Sequence, residues 1–143
     1  VLVKDALELD RIAVKVPEAA SALMNAFWPG ALTIILEART ELPAVLTGGT
    51  GKIGIRVPKH LVASALVNAF DGPITGTSAN LSGQAGCSSA ADLDPRLAQY
   101  LDMVLDAGPL KGGAGSTVVD ATSDPPLVVR EGAVSKQQLE LVL

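Results

Sequence analysis

Residues 72–83 read GPITGTSANLSG, and their reading decides the fold class. Asp71-Gly72 is a turn signal. Pro73–Thr77 reads as a strand that runs into Ser78-Ala79-Asn80. Open α/β sheets bind ligands beyond the carboxyl ends of their strands. In extended backbone, residues two apart point the same way. Ser78 and Asn80 would then present a hydroxyl and an amide to one ligand. The plain alternative is a turn, because Ser and Asn are common turn residues.

Working outward, His60–Phe70 carries Leu61, Ala65, Leu66 and Ala69 at helical spacing. Ile53–Val57 before it is a strand, stopped by Pro58. Residues 41–52 are rich in Gly, Thr and Pro and read as a loop with one helical turn. Thr33–Glu37 is a strand. Ala19–Phe27 is a helix with Pro17 in its first turn. Lys4–Lys15 has the helical pattern Leu9, Ile12, Ala13, followed by Val16. Val1–Val3 reads as a strand remnant; with no initiator Met before it, a cut chain is the expectation. Downstream, Ala90–Tyr100 contains helical material interrupted by Pro95, and Met103–Asp106, Ser116–Asp120 and Leu127–Arg130 read as strands. Ser135 caps a last helix, with Gln138 as its capping-box partner. Strands and helices alternate and strands then cluster late, which predicts an α/β fold with a sheet of mixed strand directions.

The 143 residues suit one domain, taken as 1–143. Hydrophobic residues make up 48% and charged residues 18%, enough apolar material for a core and too little charge for a disordered chain. Aromatics are 3%, so the core is aliphatic. The net charge of −4 and the absence of any basic run argue against general nucleic-acid binding. The single cysteine, Cys87, forms no disulfide within the chain and no Cys-based zinc site, and fits a reducing cytosol. No apolar run approaches the ~20 residues that span a bilayer, and no signal peptide is visible.

Three further features bear on chemistry. Gly112-Gly113-Ala114-Gly115-Ser116-Thr117 leaves backbone N–H groups open to a phosphate or carboxylate. It lacks the lysine of a Walker A loop, and it also reads as a plain connection. Arg56 sits inside the apolar run Ile53–Pro58. Burying an unpaired charge is costly, so Arg56 meets an anionic ligand, joins an ion pair or lies on a solvent face. Arg130 closes a strand and either clamps a phosphate or pairs with Glu131. His60 and Cys87 read as ordinary surface residues, and Phe27-Trp28 as core. With one His and no Cys pair, no transition-metal site is expected.

Taken in order, five blocks resemble one family. Phe27–Thr33 (FWPGALT) is similar to its "WPGxLT" segment. Ile53–Pro58 resembles its "IAxRxP" strand, and GPITGTSANLSG its "GP…TSANxSG" signature. Gly115–Asp120 (GSTVVD) resembles "ESTVVD", and Val129–Ser135 (VREGAVS) resembles "LRPGAIS". The chain thus resembles the YrdC/YciO/Sua superfamily. The resemblance implies a twisted mixed sheet flanked by helices, with a concave ligand cleft. It also implies condensation of L-threonine, bicarbonate and ATP into L-threonylcarbamoyl-adenylate and pyrophosphate. A partner transferase complex then modifies adenosine 37 of tRNAs that read codons starting with A.

By that resemblance Arg56, Gly76 and Ser116 hold threonine. Lys52, Ser78 and Arg130 contact ATP, and Ser78 and Asn80 are the catalytic pair. Mg2+ is expected with ATP, with no tightly bound cofactor, no metal held by the protein and no membrane, in the cytoplasm. Glu131 stands where the family often has Pro. The family's Thr-rich "PTxTxYGL" turn and its "KxR" motif do not occur in this sequence, so an N-terminally truncated domain, inactive alone, is the expectation. Two alternatives keep the fold and change the role. One is a carbamoyl-adenylate-forming domain of hydrogenase maturation. The other is an RNA-binding module, with double-stranded RNA as its contact; the acidic charge counts against it.

Overall fold

Leu32–Glu37 alternates Leu32, Ile34 and Leu36 with Thr33, Ile35 and Glu37. The first set is buried and the second half-buried, as expected for a strand with one face on a core. This strand, β1, is central in a four-stranded sheet of order β2-β1-β3-β4. β2 is Lys52–Ile55, β3 Thr117–Asp120 and β4 Leu127–Arg130. β1 pairs antiparallel with β2 and parallel with β3, and β3 pairs antiparallel with β4. The mixed sheet expected from the sequence is therefore present. The computed structural model describes residues 1–84, 86–110 and 114–143. They form two units, Val1–Thr75 with Ala114–Leu143, and Gly76–Gly113.

In the first unit, helix α1 (Glu18–Phe27) buries Ala20, Leu23 and Met24, the i, i+3, i+4 stripe of a surface helix. These side chains join Leu32, Ile34, Leu36, Ile53, Ile55 and Val119 in one core. Full burial of each large aliphatic side chain contributes about 1.5–3 kcal/mol. Helix α2 (Ala44–Thr47) is the single turn expected between β1 and β2. Helix α3 (Leu61–Phe70) ends at Asp71, whose φ of 54° stops the helix in the left-handed region. Helix α5 (Lys136–Glu140) carries the expected Ser135–Gln138 capping box and buries Leu139. In the second unit, Ala90–Asp92 is a 3-10 turn and α4 (Pro95–Ala98) follows, capped by Asp94.

Three elements differ from the sequence reading. Ala6–Arg11 is a 3-10 helix rather than a longer α-helix. The chain leaves it because the backbone of Ile12 and Val14 pairs with Arg39 and Glu37 at the end of β1. Pro73–Thr77 is not a strand: only Ile74 bridges, to Leu2. Pro73 has no N–H to donate, and Leu2 alone lies opposite, itself bridged to Arg56 on its other side. Met103–Asp106 is not a strand either. A strand needs a neighbouring edge, and the second unit contains no other strand among its described residues.

Candidate functional site

The face of the sheet turned away from the core carries the polar chemistry. On β2, burial of Ile53 and Ile55 turns Lys52 and Gly54 to the other side, and Arg56 follows in the same parity. On β1 the same face holds Thr33 and Ile35, and on β3 it holds Val118 and Asp120, with Ser116 just ahead of the strand. Thr33 is paired with Val118, and Val118 with Arg130. Thr33, Val118 and Arg130 thus form a row across three strands, and Arg56 directly follows β2, whose last pair with β1 is Ile55 with Ile34.

Within that row the contacts are specific. The Thr33 and Ser116 hydroxyls are 2.9 Å apart. Arg130 donates from Nη2 to the Ser116 carbonyl at 2.8 Å and from Nε at 3.3 Å, and Nη2 also reaches the Ser116 hydroxyl at 3.3 Å. Arg56 donates from Nε to the Gly30 carbonyl at 2.6 Å. Among the described residues no carboxylate is within ion-pair distance of Arg56 or Arg130. Burial pushes the Arg56 guanidinium down from its ordinary value. A half-buried cation without a counter-charge is a ready partner for an anion. The ion pair considered for Arg130 is not formed, because Glu131 accepts from the Lys136 backbone N–H at the start of α5.

Lys52 is placed differently. Its Nζ donates to Asp120 Oδ2 at 2.8 Å across β1. Asp120 also accepts from the Thr122 backbone and hydroxyl at 2.9 and 2.6 Å. Burial works to raise the Asp120 carboxyl; the hydrogen bonds from Lys52 and Thr122 and the Lys52 charge outweigh it and hold Asp120 below the ordinary carboxylate value. Two Lys52 protons remain for a ligand.

Arg130 is held in position from below. Thr117 is fully buried. Its hydroxyl donates to the Val134 carbonyl and accepts from the Gly132 and Val134 N–H groups at 2.8 and 3.1 Å. Every bonding site of that hydroxyl is used, as burial of a polar group requires. The turn after β4 is thereby tied to β3. Gly132 packs so closely that a Cβ would lie 2.2 Å from the Gly115 carbonyl oxygen.

Gly76, Ser78 and Asn80 lie in the second unit. Gly76 and Ser78 are exposed and Asn80 is half-buried. The chain bends at Ala79–Asn80, so the expectation that Ser78 and Asn80 share one side of an extended segment does not hold. The Asn80 amide donates to the Leu81 and Gln84 carbonyls, both at 2.9 Å, which closes its own loop and leaves its carbonyl oxygen for other partners. Gly112-Gly113, the start of the glycine-rich loop, lie outside the described residues.

Sequence reasoning passed over Thr33, Asp120 and Thr117 as functional residues. The signal was strand parity: Leu32, Ile34 and Leu36 on the core face put Thr33 on the other, where its hydroxyl meets Ser116.

A family model described as Sua5_yciO_yrdC, telomere recombination, matches residues 1–132. The chain belongs to this Sua5/YciO/YrdC family. It is 34% identical over 136 residues to a threonylcarbamoyl-AMP synthase of Pyrococcus abyssi, covering 95% of this chain and 40% of that protein. It is 38% identical over 146 residues to the Bacillus subtilis threonylcarbamoyl-AMP synthase, covering 99% and 41%. The structure superposes on P. abyssi Sua5 complexed with L-threonine with a TM-score of 0.90 at 33% identity, over 99% of this chain and 42% of that one. It superposes on Escherichia coli YciO with a TM-score of 0.85 at 34% identity, over 96% and 67%. The chain spans about two-fifths of the length of the synthases it matches.

Proposed function

We propose that the protein containing this chain is an L-threonylcarbamoyladenylate synthase. It condenses L-threonine, bicarbonate and ATP and releases pyrophosphate. The carrying observation is the Thr33–Ser116–Arg130 cluster on the open face of the sheet, with Arg56, unpaired among the described residues, at the end of β2, in a family with a member solved in complex with L-threonine. Arg56 offers the carboxylate of threonine a fork without a counter-charge, and Ser116 offers a hydroxyl beside it. Arg130 and Lys52 present cationic donors to the ATP phosphates. Gly76, Ser78 and Asn80 keep the roles that the family resemblance implies for them. Catalysis is then positioning with charge stabilisation, without a covalent enzyme intermediate.

Magnesium suits this donor set only as a companion of ATP. It takes phosphate oxygens and water with one or two carboxylates rather than a protein cage. Among the described residues no group of three His, Cys, Asp or Glu could hold a metal.

The product would serve a transferase that modifies tRNA. Among the described residues no helix is long and apolar enough to cross a membrane, and the proposed setting is the cytoplasm.

The test is product analysis with the full-length protein. AMP and pyrophosphate should form from ATP only when threonine and bicarbonate are both present. Equal turnover without threonine would reject the assignment.

A further inference from the structure

Ser116 has one proton and two lone pairs on its hydroxyl. Arg130 Nη2 donates to that oxygen at 3.3 Å, and Thr33 Oγ1 lies 2.9 Å from it. Of the two hydroxyls either can donate. If Ser116 donates to Thr33, it has no proton left for a ligand. If Thr33 donates to Ser116, both Ser116 lone pairs are engaged by neighbours and its proton is the one group left to point outward. An ionised carboxylate accepts and never donates, so only the second arrangement offers it the Ser116 proton.

We infer that Thr33 is a positioning residue that turns the Ser116 proton toward the carboxylate of the amino-acid substrate. The inference rests on the proposed function and names a residue that function did not need. Thr33 is suited to the task by its place in β1, between β2, which Arg56 follows, and β3, which Ser116 precedes. Its methyl group lies over Gly54, 3.2 Å from where a Cβ on that residue would be. The hydroxyl and the methyl have separate duties, and two substitutions separate them. Thr33→Val keeps the methyl and removes the hydroxyl. Thr33→Ser does the reverse.

The experiment measures L-threonine and ATP affinity by calorimetry in the full-length protein and its variants. Thr33→Val should weaken threonine binding by roughly 3- to 10-fold, the range of one neutral hydrogen bond, and leave ATP affinity unchanged. Thr33→Ser should retain threonine affinity. Thr33→Val combined with Ser116→Ala should bind no more weakly than Ser116→Ala alone, because Thr33 acts through Ser116. Unchanged threonine affinity in Thr33→Val overturns the inference. So does a double variant whose losses multiply, or a loss in Thr33→Ser as large as that in Thr33→Val. A wild-type protein that binds no threonine overturns the proposed function, and this inference with it.

Discussion

Arg130 grips the main chain of Ser116 rather than a carboxylate, with Nη2 2.8 Å and Nε 3.3 Å from the same carbonyl oxygen. The side chain proposed for the phosphates thus also sets the backbone that presents the proposed threonine contact. Arg130→Ala should weaken ATP binding by roughly 10- to 100-fold, the scale of a charged hydrogen bond, and threonine binding by a smaller factor. Arg130→Lys should restore little, because an ammonium cannot reproduce a two-nitrogen fork. Titration of each ligand separately checks both statements.

Arg56 has the opposite arrangement. Its Nε is committed to the Gly30 carbonyl, and its terminal nitrogens are directed to no carboxylate among the described residues. Arg56→Ala should cost mainly threonine affinity, by roughly 10- to 100-fold, with ATP affinity little changed. Unchanged threonine binding in that variant would remove Arg56 from the site.

The Lys52–Asp120 pair makes stability depend on acid. Asp120 is held below its ordinary value in the folded protein, while an unfolded aspartate titrates near ~3.9. A depressed carboxylate stabilises the fold above the unfolded value, and that contribution fades as pH falls through the folded one. Asp120→Asn should therefore lower the urea midpoint at neutral pH. The gap to wild type should close below about pH 4. A gap of constant size down to strongly acidic pH would show that the carboxylate charge is not what matters there.

Gly132→Ala should destabilise the fold by about 1–3 kcal/mol or more, as overpacking does. The added Cβ would lie 2.6 Å from the Ser116 carbonyl carbon and 2.7 Å from the Thr117 nitrogen. These atoms and the Gly115 carbonyl oxygen belong to the backbone and cannot rotate aside. Urea denaturation reads the loss. Because Gly132 also holds the turn below Arg130, ATP affinity should fall in the same variant.

Much of the sheet was legible in residues 33–37, 53–57, 116–120 and 127–130, because β-branched and apolar runs bounded by Gly and Pro mark strands locally. The capping box at Ser135–Gln138 was legible for the same reason: three residues of separation carry the whole interaction. Pro73–Thr77 and Met103–Asp106 carry local strand signals too and form no strand, since pairing depends on an edge elsewhere in the chain. The candidate arginines were visible as charges in apolar surroundings.

By itself, the order of residues determined the elements and the side-chain types, since helix, strand and cap preferences act over a few positions. Only the tertiary structure decided that Thr33 faces Ser116 across 83 residues, that Lys52 is held by Asp120, and that Arg130 clasps a carbonyl instead of Glu131. Those choices belong to strand register, which is fixed by which apolar faces bury together and not by any neighbour in sequence.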